Sequence, residues 1–196
     1  MRVLFSFMLL TTLPGIVSAA SVPERAIRHF GGRLTKPEEY AESVSGFQKY
    51  LRDSGVRKVS ATQMTRPHHV AIARDVGFDV FLPKKAWWSR GAALALLAQA
   101  IEEAIGEPVT IRNWWRPARY NADARVAGAK RSDHLTAHAI DIDYRSRRSA
   151  ERARRWLEEL RRKQPWLRLS VGSGPITTHV GIDSPLGSRQ WTYDKH

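Results

Sequence analysis

The residues best equipped for chemistry fall in two short segments. The first reads Ser132-Asp133-His134-Leu135-Thr136-Ala137-His138-Ala139-Ile140-Asp141-Ile142-Asp143, and the second Thr177-Thr178-His179-Val180-Gly181-Ile182-Asp183. Cysteine is absent, which excludes thiol nucleophiles, disulfides and cysteine-based metal sites and leaves His and carboxylates as the only metal donors. Side chains alternate between faces along a strand. Alternation puts Ala139, Asp141 and Asp143 on one face and Ile140, Ile142 and His138 on the other, so His138 reads as a packed or supporting histidine. His134 precedes the strand and is free to fold back over its polar face beside Asp141. In the second segment Val180 and Ile182 point inward, while His179, Gly181 and Asp183 share the exposed face. His179 then completes a set of two imidazoles and one carboxylate, a common catalytic zinc set that leaves one position for a water. Asp183, roughly 7 Å along the strand from His179, is a candidate to orient or deprotonate that water. His29, His68, His69 and His196 lack partners at useful spacing and read as structural or surface residues.

These side chains need a frame. Tyr40, Val44, Phe47 and Leu51 recur at helical spacing and predict a helix over Pro37 to Leu51 within a polar N-terminal extension. A second helix is expected from Ser89, as cap, to Ile105 before Gly106, followed by a strand over Pro108 to Trp114. Residues Arg116 to Arg131 read as a loop with one short helical turn. A strand over Ala137 to Tyr144, a charged helix over Ser149 to Lys163, and strands over Leu167 to Val171 and Thr177 to Ile182 complete the order. That order predicts an α+β fold with a small, mostly antiparallel sheet flanked by helices.

Ser132, His134, Ala139 and Asp141 stand in register with Ser-x-His-x-x-Gly-x-Ala-x-Asp, and only the Gly position differs, being Ala137. In this the chain resembles the zinc D-alanyl-D-alanine carboxypeptidases and dipeptidases, with the related murein endopeptidases and the hedgehog signalling domain. Trp115-Arg116-Pro117-Ala118-Arg119-Tyr120-Asn121 looks like the family's aromatic-Arg segment, and Gly187-Ser188-Arg189-Gln190-Trp191 like the Gly-x-Arg-x-Trp tail of one exported endopeptidase branch. The resemblance spans about residues 109–191. It implies zinc on His134, Asp141 and His179, with Arg116 facing the site to stabilise an oxyanion or hold a substrate carboxylate and Ser132 contacting substrate. The chain departs from the family where an acid often precedes the last His by three residues, here Ile176. It departs also from His-x-His, here Thr177, and from the His-Val-Asp of the exported branch, here Gly181. The general base therefore stays open between Asp183, Asp143, Asp133 and a metal acting alone.

A chain of 196 residues suffices for one compact domain with a core. Met1-Arg2, an apolar run over Val3 to Leu10, and Ser18-Ala19-Ala20 have the order of a secretion signal cleaved near Ala19/Ala20. No later stretch reads as a membrane span. We therefore expect a signal peptide over 1–20, a partly helical extension over 21–85 and a zinc peptidase-like domain over 86–196. The expected protein is secreted or periplasmic. Its formal charge of +13 suits anionic cell-wall polymers, while nucleic acid is not expected as a partner because it explains the charge and nothing about the His and Asp set. The expected activity is hydrolysis of an amide bond in peptidoglycan peptides. The alternative is a catalytically silent, zinc-containing peptidoglycan-binding protein.

Overall fold

The computed structural model describes residues 37–193. The signal-like residues 1–20, His29 and His196 lie outside the described residues. Helices α1 (Pro37–Asp53), α2 (Ala61–Thr65), α3 (Val70–Asp75) and α4 (Trp88–Ile105) precede strand β1 (Thr110–Asn113). The short α5 (Ala118–Asn121), β2 (Ala139–Asp143), α6 (Arg147–Lys163), β3 (Ser170–Ser173), β4 (Thr177–Gly181) and β5 (Gln190–Thr192) follow. The sheet order is β1-β2-β4-β3-β5, antiparallel at every pair except β3 with β5. The architecture is thus the α+β arrangement that the pattern predicts.

Pairing decides where the chemistry lies. Across β2 and β4, Asp141 stands opposite His179 and Asp143 opposite Thr177, while Ile140 stands opposite Val180 and Ile142 opposite Thr178. The second set, together with Leu94, Ile101 and Leu157, is buried in the core. Burying each such side chain fully stabilises the fold by about 1.5–3 kcal/mol. Helices α4 and α6 contact each other and the sheet, so they close the apolar face and leave the Asp141 face to a cleft.

Helix α4 is apolar on most sides, with Gly91, Ala92, Leu94, Ala95, Leu97, Ala98, Ile101 and Ile105 buried, because α1 and α6 both pack against it. It ends at Gly106, whose φ of 68° is the left-handed conformation that glycine adopts at least cost. Helix α6 begins two residues before the expected Ser149, since the Ser146 hydroxyl caps it by accepting from the Ser149 N–H at 3.1 Å.

Three differences from the sequence reading have local causes. Leu167 is buried, but it closes a 3-10 turn opened by Pro165, and Arg168 follows at φ 47°, so β3 starts only at Ser170. Strand β1 is shorter than expected, with an irregularity between Ile111 and Asn113. Helices α2 and α3 and strand β5 are too short to show periodicity, although Ser60 and Gln63 form a reciprocal capping box at α2. The described part of the 21–85 extension packs into the same core, through Phe47, Leu51, Met64 and Phe81. Among the described residues no helix is long and apolar enough to cross a membrane.

Candidate metal centre

The turn that carries His134 is fixed on several sides. Ser132 caps a 3-10 turn over Asp133–Thr136, accepting the His134 N–H at 3.4 Å. Ala137 ends that turn at φ 59°. This is the position of the one missing signature glycine, and left-handed backbone costs an alanine roughly 1–2 kcal/mol. Neighbours hold the turn in place: Arg90 of α4 donates to the Thr136 carbonyl at 2.8 Å, and the Trp114 indole N–H donates to the Ala137 carbonyl at 3.2 Å.

Three atoms converge above β2 and β4. His134 Nε2 lies 3.0 Å from Asp141 Oδ1, His179 Nδ1 lies 3.0 Å from the same oxygen, and the two nitrogens are 3.1 Å apart. The other ring nitrogen of His134 faces the Trp114 carbonyl at 2.5 Å and donates to it, so Nε2 carries a lone pair inward. Asp141 Oδ2 accepts from Asn113 Nδ2 at 3.4 Å. Three acceptor atoms so close repel one another unless a cation or a proton lies among them. Among the described residues this is the one group of His and carboxylates arranged to hold a metal ion.

Without a metal, the carboxylates hold a proton on one imidazole: burial would lower His179, but Asp133 and Asp141 beside it outweigh burial and raise it above the ordinary histidine range. Burial holds His134 below the ordinary histidine range despite the Asp141 carboxylate beside it. Burial would raise Asp141, but the two imidazoles that face it outweigh burial and hold the carboxyl well below the ordinary carboxylate range. Burial alone would also raise Asp133, yet the facing His179 imidazole and hydrogen bonds from Ser184 and Ser170 hold it down at about 2.

The cluster opens on a cleft of about 770 Å³. Ser132, Arg116, Arg131, Arg189, His68 and Tyr193 are among its walls. Arg116 lines the same cleft: its Nη2 donates to Ser132 Oγ at 3.2 Å, its backbone N–H donates to the His134 carbonyl at 3.1 Å, and its buried Nε has no partner among the described residues. Asn121 donates to the Ala129 carbonyl at 2.9 Å and so shapes the loop that borders the cleft.

Other placements differ from the sequence reading. His179 has the strand phase expected of it but is buried, at 5% exposure, because Trp191 covers it with ring centroids 5.2 Å apart. His68 and His69 are exposed, as surface residues are, and both also line the cleft. Strand β4 ends at Gly181, and Asp183 follows in left-handed backbone at φ 46°, where it pairs with Arg168 at 3.2 Å and does not line the cleft. The expected approach of Asp183 to His179 is therefore not met. Asp143 accepts from Arg112 at 2.9 Å and from Thr177 at 2.6 Å. His138 is packed, as predicted, with Nδ1 2.8 Å from Thr136 Oγ1. The cleft walls that sequence reasoning did not place are His68 and His69, which the chain brings in from the extension; no spacing to the ligand segments could signal them.

No curated protein and no solved structure matches the chain. Residues 76–180, more than half of the sequence, match the family model of peptidase M15. The match contains His134, Asp141 and His179 and begins ten residues ahead of the boundary expected at residue 86. With its metal-type cluster inside the matched region, the chain belongs to the peptidase M15 family.

Proposed function

We propose that this protein is an exported zinc metallopeptidase that hydrolyses an amide bond in peptidoglycan peptides, of the D-Ala-D-Ala carboxypeptidase or murein endopeptidase type. The observation that carries the reading is the convergence of His134 Nε2, His179 Nδ1 and Asp141 Oδ1 at 3.0–3.1 Å on the floor of an open cleft. Tetrahedral zinc with bonds of about 2.0–2.1 Å separates its ligands by roughly 3.3 Å. The three atoms need to spread by only a few tenths of an ångström, and nitrogen and oxygen donors suit this ion. Zinc held there supplies Lewis acidity and lowers the pKa of a bound water to about 7.

The chain's own groups do the rest. Trp114 and Asn113 orient the ligands His134 and Asp141. Arg116, fixed through Ser132, offers a planar guanidinium for a developing oxyanion or a substrate carboxylate. Arg131 and Arg189 add positive charge to the walls, which suits peptides with free carboxylates. Export is supported by the charged, apolar and small-residue order of residues 1–20, and the charge of +13 by its match to anionic wall polymers.

A second reading, a zinc-containing protein that binds peptidoglycan without cutting it, is favoured by one observation. Each carboxylate offered as general base is engaged: Asp183 by Arg168, Asp143 by Arg112 and Thr177, and Asp133 by Ser170, Ser184 and Arg189. Incubating the purified protein with muropeptides, with and without zinc, and following products by mass spectrometry separates the readings. Zinc-dependent loss of a residue or scission of a cross-link supports the peptidase. Zinc binding and muropeptide binding with no bond cut supports the silent protein, and absence of zinc binding overturns both.

A further inference from the structure

Beyond Val180, where the family match ends, the chain returns to the metal centre. Asp133, next to the ligand His134, has a side chain with 0% exposure. Its Oδ1 accepts from Ser184 Oγ at 2.8 Å, and its Oδ2 accepts from Ser170 Oγ at 3.1 Å and Arg189 Nη2 at 3.0 Å. The same Oδ2 faces Nε2 of His179 at 3.8 Å, and that buried nitrogen has no hydrogen-bond partner among the described residues. The Arg189 guanidinium lies 5.2 Å from the centroid of the Trp191 ring, which is tilted against His179. Trp191 in turn lies on Gly172, where a Cβ would come within 2.4 Å of the indole.

Gly181 leaves the space that the arrangement needs. It shares the sheet face of His179, and a Cβ there would meet Ser170 Oγ at 2.3 Å and Asp133 Oδ2 at 3.3 Å. A side chain at 181, as in the His-Val-Asp pattern from which this sequence departs, would compete with the Asp133 carboxylate for one space.

We propose that Asp133, clamped by Ser184 and Arg189 of the C-terminal segment, is the positioning carboxylate of His179 and takes the room left by the glycine at 181. The proposal rests on the reading that His134, Asp141 and His179 hold the metal. His179 turns Nδ1 to the cluster, which leaves Nε2–H for Asp133, and an acceptor on the outer nitrogen fixes the tautomer and ring orientation of a ligating histidine. Ser184, Ser170 and Arg189 occupy three of the carboxylate's roughly four acceptor sites and leave one toward the His179 ring. Arg189 offsets its buried charge, and through Arg189 the tail completes the centre.

Arg189 is half exposed, so Arg189→Ala should fold. Its zinc affinity, measured by competition with a chromophoric chelator, is expected to fall about 10–100-fold, and Arg189→Lys to recover most of the loss. In metal-free protein, the ¹⁵N shifts of the His179 ring should report the Nε2–H tautomer in wild type and a mixture in Asp133→Asn, with Ser184→Ala as substitute if that variant does not fold. Folded variants with wild-type zinc affinity and wild-type His179 tautomer overturn the proposal. If wild type binds no zinc yet its His179 tautomer depends on Asp133, the metal reading fails and the clamp stands.

Discussion

Replacing Gly91 by alanine sets two effects of known sign against each other. Gly91 lies within α4, where alanine is favoured over glycine by about 1 kcal/mol on helix propensity. The added Cβ would, however, lie 2.4 Å and 2.5 Å from two carbons of the Trp114 ring and 3.0 Å from Phe47 Cζ. Carbon atoms pack best at about 3.5–4.0 Å, so the overlap is near 1 Å. Trp114 has little room to retreat. It is 1% exposed, is stacked on Phe47 with centroids 5.2 Å apart, and is tied by its indole N–H to Ala137. Overpacking of this kind costs typically 1–3 kcal/mol, and a rigid ring with fixed neighbours belongs at the upper end. The net expectation is destabilisation of about 1–2 kcal/mol. Because the Trp114 carbonyl accepts from His134, metal affinity should fall with it. Urea unfolding followed by circular dichroism, with zinc affinity measured in parallel, reads both. A Gly91→Ala protein that unfolds at higher urea than wild type would refute the reasoning.

Burial first, and then the Arg90 charge, lower His138 to about 4. An unfolded histidine titrates near 6.5, so the unfolded chain binds a proton that the folded chain resists, and stability complete above pH 6.5 declines as pH falls toward 4, by up to about 3 kcal/mol. Urea midpoints across that window should show the decline, and His138→Gln should flatten it. Arg116→Lys keeps the charge and loses the planar fork; kcat/KM on muropeptides should drop by about 10²-fold with zinc affinity unchanged, and an equal loss of zinc binding would move Arg116 from substrate to structure. Retention on isolated sacculi should weaken on adding 150 mM salt, at which the Debye length is about 8 Å; salt-independent retention would exclude charge as the address.

Period and phase made β2 and β4 legible. Alternation alone separates Asp141 and His179 from Ile140, Ile142 and Val180, and the antiparallel register then brings the two ligands opposite each other. His134 was legible because it lies ahead of β2 with a turn between, and the motif position occupied by Ala137 turned out to demand left-handed backbone. What one sequence could not show is how far a strand runs. Asp183 has the right parity for the His179 face, but the backbone leaves β4 at Gly181 and takes Asp183 to Arg168. Long-range pairing was equally hidden. The Asp133–Arg189 and Arg112–Asp143 ion pairs and the entry of His68 and His69 into the cleft join residues far apart in sequence with no periodic signal between them. Burial of His179 depends on Trp191 in β5, a strand of three residues paired in parallel with β3, too short for alternation to register.

In the proposed centre, His134, Asp141 and His179 together hold one metal ion. Metal analysis of the purified protein after loading with zinc and removal of excess, set beside His179→Ala, Asp141→Asn and the packed control His138→Gln, tests it most directly. One zinc per chain in wild type and in His138→Gln, with loss in the two ligand variants while they remain folded, is the predicted result. A His179→Ala protein that retains a full equivalent of zinc would contradict it.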